Sequence, residues 1–177
     1  MSATPWSCPI IVAEIPETGR HVDLVADEPA RAALAKVAGV VGLPRVEAAF
    51  DLTRHGADGV HVVGHLSATV EQNCVRTLEP MESQIEEHID LVFAPQNEAA
   101  NDVARVAVPD SDEPPEMLRD GAVDLGAVAT EFLLLGIDPY PRKPGSVFNA
   151  PKVAENPAAH PFAALAAWKN AKRDNDN

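Results

Sequence analysis

At 177 residues, 46% apolar and 5% aromatic, the chain suits one domain whose core is filled by Val, Ile, Leu and Ala, and it is too apolar for wholesale disorder. No apolar run approaches the ~20 residues of a membrane span. The first basic residue is Arg20, so no signal peptide is expected, and two distant cysteines, Cys8 and Cys74, exclude a disulfide framework and fit a reduced, cytoplasmic protein.

The net charge of −13 is unevenly spread. From Glu71 to Asp120, thirteen acidic residues stand against Arg76, Arg105 and Arg119, a local balance of −10. From Tyr140 onward the sign reverses to +3, with Arg142, Lys143, Lys152, Lys169, Lys172 and Arg173 against Glu155, Asp174 and Asp176. An acidic body repels phosphate backbones and attracts a basic protein.

In chain order, Ser7 to Ile15 reads as a short strand. Asp27-Glu28-Pro29 has the chemistry of a helix start: a capping carboxylate, acid in the first turn and proline where no amide donor is needed. Leu34, Val37 and Ala38 give that helix its apolar stripe, and Gly39 or Gly42 ends it. Val46, Ala48, Phe50 and Leu52 then alternate with Arg45, Glu47, Asp51 and Thr53, which predicts a half-buried strand. His55-Gly56-Ala57-Asp58-Gly59 supplies turn chemistry. Val60, Val62, Leu66, Ala68 and Val70, alternating with His61, His65, Ser67, Thr69 and Glu71, complete a hairpin with one wet face. A third strand follows Pro80, with Ile85, Ile89, Leu91 and Phe93 inward and Gln84, Glu86, His88 and Asp90 outward.

Pro95 to Pro115 reads as a long acidic loop with a short strand at Val103 to Val108. Asp124 caps a helix whose Leu125, Val128, Ala129, Phe132 and Leu133 share one face; Gly136 ends it, and Asp138-Pro139-Tyr140-Pro141 prevents continuation. The expected fold is α+β: an antiparallel meander forming a twisted sheet or open barrel, flanked by two or three helices. A single domain over 1–140 is followed by a proline-rich, partly mobile tail over 141–177, whose short last helix carries Phe162, Leu165 and Trp168.

Candidate chemistry is sparse. His61 and His65 lie about 13 Å apart along a strand, too far to share one metal ion, and read as surface histidines. Cys74 is followed two residues later by Arg76, which a strand would place on the same face, where it could lower the thiol pKa. No general base accompanies the thiol, so Cys74 reads as a packing residue at a strand end. Glu86 and Glu87 point to opposite faces, and no serine elbow, Walker pattern or G-x-G-x-x-G is present. Catalytic residues, metal ligands and a cofactor are not expected, and the chain does not read as an enzyme. Basic residues interleave with aromatics only near the end, which makes Arg142, Lys143, Lys152, Lys172 and Arg173 candidate RNA contacts. Phe162, Leu165, Trp168 and Lys169 are candidate partner-binding residues.

The order of these features resembles the YceD family of large ribosomal RNA subunit accumulation proteins. The resemblance is carried by Cys74, Arg76 and Leu78 of a Cys-x-Arg-x-Leu core and by Asp124-Leu125 with Glu131 in the helix after the acidic loop. It continues in the break Asp138-Pro139-Tyr140-Pro141 and in the segment Asn156-Pro157, Pro161-Phe162, Leu165 and Lys169. Many members carry Cys-x-x-Cys at the first motif, and some add thiols after the helix, which looks like a zinc site. Here Thr77 stands at the second cysteine position and Pro141-Arg142-Lys143-Pro144 contains no thiol, so zinc is not carried over. The resemblance implies a role in large-subunit ribosomal RNA accumulation and ribosome assembly. Combined with the charge, it points to a ribosomal protein or assembly factor of the large subunit as partner, with precursor rRNA as the alternative and no membrane.

Overall fold

The computed structural model describes residues 5–56, 58–95, 115–118 and 120–147. Its elements follow the order β1 (Pro9–Ile11), a 3-10 turn (Val12–Glu14), β2 (Arg20–Val25), α1 (Glu28–Ala38), β3 (Gly42–His55), β4 (Gly59–Asn73), β5 (Pro80–Pro95), β6 (Glu116–Leu118), β7 (Ala122–Asp124) and α2 (Leu125–Gly136). All of them lie within the first of two compact units, Met1–Ser146.

The period-two pattern of β3, β4 and β5 produces the expected meander, paired antiparallel over nearly their full lengths. Two strands join it that the sequence did not announce. The short β2 pairs antiparallel with β3 along one edge, and β6 adds to β5 in parallel on the other. The result is an open five-stranded sheet in the order β2-β3-β4-β5-β6, unclosed as expected. The expected strand over Ser7 to Ile15 is confined to Pro9–Ile11, because the chain tightens into the 3-10 turn at Val12. That short strand pairs with β7 in a separate two-stranded ribbon. The expected strand at Val103 to Val108 lies outside the described residues.

One face of the sheet carries the core. Val46, Phe50, Leu52, Val60, Val62, Leu66, Ala68, Val70 and Ile89 are buried to within 1% of completely. Gly64 sits among them because a Cβ there would fall on Cδ1 of Phe50; its absence lets the aromatic ring lie flat on β4. The helices cover this face, α1 against β3 and α2 against β4 and β5. Leu34 comes from α1, and Leu125, Val128, Ala129 and Leu133 come from α2, all in the same cluster. Helix boundaries follow local chemistry: the Asp27 carboxylate accepts from the Ala30 amide at 2.9 Å, and Gly39, at φ +67°, closes α1 in the left-handed conformation. The opposite face bears the polar half of each alternation, and among the described residues no helix packs on it.

Candidate functional site

The Cys-x-Arg-x-Leu core folds as a turn. β4 ends at Asn73, so the strand alternation that would put Cys74 and Arg76 on one face does not apply. Instead the Leu78 amide donates to the Cys74 carbonyl at 2.8 Å and the Cys74 amide to the Glu79 carbonyl at 2.9 Å. Leu78 adopts φ +58° and is 77% exposed, an unusual pairing of a left-handed backbone with an uncovered leucine side chain. The Cys74 side chain is fully buried.

A strap following α2 closes over this turn. The Val75 amide donates to the Pro141 carbonyl at 2.9 Å, the Lys143 amide to Cys74 Sγ at 3.4 Å, and Arg76 Nη1 to the Ser146 carbonyl at 2.7 Å. Lys143 Nζ pairs with Glu79 at 3.0 Å, holding that carboxylate below its ordinary pKa. Gln72 Nε2 ties the start of the strap through the Asp138 carbonyl at 2.9 Å. Residues from 141 to 146 are thus bonded to the β4–β5 turn at several points. Of the candidate RNA contacts, Arg142 and Lys143 lie in this strap. Arg76 is bonded to the same strap at Ser146, which its place in the sequence, seventy residues away, did not reveal.

The thiol sits in a cradle of hydrogen-bond donors. The Thr77 hydroxyl contributes most, followed by the Lys143 amide and then the amides of Thr77 and Arg76; together they outweigh burial and pull Cys74 down to about 6. This arrangement also tests the metal that the resemblance suggests. A tetrahedral zinc site needs four electron-pair donors, whereas here a single thiol stands in the turn and the hydrogen bond that reaches its sulfur comes from the Lys143 amide at 3.4 Å. Thr77, at the position of a second cysteine, donates its hydroxyl to Glu79 at 3.3 Å. Among the described residues no cluster of three or more His, Cys, Asp or Glu is placed to hold an ion. The residues do not fit a zinc site.

Asp124-Leu125 has an equally concrete role. Asp124 Oδ1 accepts from the Gly126 amide at 3.0 Å, the Ala127 amide at 3.1 Å and the Cys8 amide at 2.8 Å, while Oδ2 accepts from Ser7 Oγ at 2.6 Å. The Leu125 amide donates to the Cys8 carbonyl at 3.0 Å, and its side chain is fully buried. One carboxylate therefore caps α2 and fastens the N-terminal segment to it. Glu131 lies on the exposed side of the same helix. Lys152, Phe162, Leu165, Trp168, Lys169, Lys172 and Arg173 lie outside the described residues.

The histidines of the outer sheet face are not solitary. His61 Nε2 meets Asp90 at 2.6 Å, His65 Nε2 meets Glu86 at 2.6 Å, and His21 meets Asp51 at 2.7 Å and Asp23 at 3.2 Å. Asp51, then Asp23, raises the His21 pKa, and hydrogen bonds from Ser67 and His65 lower that of Glu86. These partners come from neighbouring strands, apart from Asp23. Strand register is the signal that would have found them.

Among the described residues no helix is long and apolar enough to cross a membrane. Compared with known families, residues 62–169, well over half of the chain, match the model described as large ribosomal RNA subunit accumulation protein YceD. Searches of curated proteins and of solved structures return no match.

Proposed function

This chain belongs to the YceD family of large ribosomal RNA subunit accumulation proteins, and from that membership we propose that it supports ribosome assembly as a non-catalytic factor that binds a basic ribosomal protein or assembly factor of the large subunit. The family ties it to the accumulation of large-subunit ribosomal RNA. The observation that carries the finer reading is charge: the molecule holds −13 overall, and the outer face of its sheet is lined with carboxylates. Such a surface attracts Arg- and Lys-rich proteins and repels RNA. The bonded turn and strap act as a rigid scaffold, and the segment bearing Phe162, Leu165 and Trp168 supplies apolar anchors of the kind that fill a partner's groove.

The test is sedimentation of a lysate, followed by identification of what cross-links to the protein. The chain should travel with large-subunit precursors, and Ala replacement of Phe162, Leu165 and Trp168 should weaken that association. Unchanged co-sedimentation of the triple variant would remove the anchoring role.

One observation favours a second reading, direct contact with precursor rRNA. Arg76 donates to the Ser146 carbonyl and the Lys143 amide to Cys74 Sγ, so the strap that carries Arg142 and Lys143 is bonded to the family's Cys-x-Arg-x-Leu turn, which supports that reading. Titration against structured ribosomal RNA at several salt concentrations separates the two, since phosphate contacts impose a steep negative salt slope on affinity.

A further inference from the structure

The register of β3, β4 and β5 arranges the outer carboxylates in a regular figure. Asp51, Val63 and Asp90 stand side by side across the three strands, as do Glu47, Ser67 and Glu86, four residues further along. With strands ~4.8 Å apart and a rise of ~3.3 Å per residue, the four carboxylates mark the corners of a rectangle roughly 10 by 13 Å. His65 lies at its centre, flanked by Ala49 and His88.

We propose that this sheet face, on which no helix packs among the described residues, is the docking surface for an arginine- and lysine-rich polypeptide segment, with the corner carboxylates receiving its cations. The inference rests on the reading of the protein as a partner of basic large-subunit proteins, and it names the surface involved. The corners are too far apart to share one metal ion. Phosphate, anionic lipid and a second copy of this chain are all repelled by a face of this sign. Around the central His65 the sides of the rectangle are formed by Val63, Ser67, Ala49 and His88, three of them small. Guanidinium groups suit such sites because their planar fork matches a carboxylate in two parallel hydrogen bonds.

Each corner also has a local partner that sets how much charge it offers. Glu47 is met by Arg45 at 3.0 Å, Asp51 by His21, Asp90 by His61, and Glu86 by His65 and by Ser67 at 2.9 Å. Facing these rings from the other strands, His21 has Asp51 from β3, and Asp23 on its own strand. His61 has Asp90 from β5 and Thr53 from β3. His65 has Glu86 and His88 from β5 and Ala49 from β3. With the histidines neutral, four carboxylates less Arg45 leave −3 at the rectangle. Protonation of His21, which Asp51 and then Asp23 favour, offsets one of these charges.

The experiment titrates the full chain with a synthetic arginine-rich peptide, alongside the triple variant Asp51→Asn, Glu86→Gln, Asp90→Asn. A control triple, Glu14→Gln, Glu17→Gln, Glu28→Gln, makes the same change of net charge away from the face. The face variant should bind about tenfold more weakly and the control less than about twofold. Equal losses in both triples would overturn the proposal. So would failure of the wild type to bind the peptide while still sedimenting with large-subunit precursors, an outcome that leaves the functional reading intact. Loss of co-sedimentation by the wild type itself overturns that reading and this surface with it.

Discussion

Replacing Asp124 by alanine should unfasten the N-terminal segment and α2 at once. The cap over the Gly126 and Ala127 amides accounts for about 1 kcal/mol. The Cys8 amide, part-buried and bonded to a charged acceptor, adds about 1.5–3 kcal/mol when its partner is removed. The bond from Ser7 Oγ is exposed and contributes little. The expected loss is about 2–4 kcal/mol, which for a domain of this size lowers Tm by roughly 5–15 °C. Asp124→Asn discriminates the cause. All three amides share Oδ1, which asparagine keeps, and its Nδ2 can donate to Ser7 Oγ, so Asn should cost only about 1 kcal/mol. Thermal and urea denaturation of the full chain measure both variants. An alanine variant within about 0.5 kcal/mol of wild type would refute the reasoning, and so would an asparagine variant as damaged as the alanine one.

Two further outcomes follow from the same geometry. The Cys74 thiol has a folded-state pKa of about 6, below its unfolded value, so it contributes stability fully above the unfolded pKa and loses it as pH falls toward 6. The stability gap between wild type and Cys74→Ser should therefore widen from pH 6 to pH 9 in denaturant midpoints; a constant gap would show that the thiolate plays no part in holding the strap. Gly64→Ala would place a methyl group on the Phe50 ring and 2.9 Å from the Ala49 carbonyl, which overpacks the core and should cost about 1–3 kcal/mol, with a near-neutral result counting against the close approach of β4 to that ring.

Local chemistry determined much of this molecule in advance. The alternation through Val46–Leu52, Val60–Val70 and Ile85–Ile89 settled the meander and which side chains face the core. A side-chain period of two leaves no choice once one face is apolar. Asp27 and Asp124 announced their helices because the need to cap orphan amides is local. Tertiary structure alone decided the rest. β6, at three residues, is too short to carry a pattern of its own, and β2 and β6 are both defined by the neighbours they pair with. The pairing of His21, His61 and His65 with carboxylates depends on strand register, which composition does not encode. The surroundings of Cys74 depend on a strap arriving from nearly seventy residues away, so a thiol that reads in sequence as a small packing residue accepts, in the fold, a hydrogen bond from the Lys143 amide that pulls its pKa down. Periodicity specifies what each segment buries, whereas charge and hydrogen bonding act between segments and take effect only where the chain brings them together.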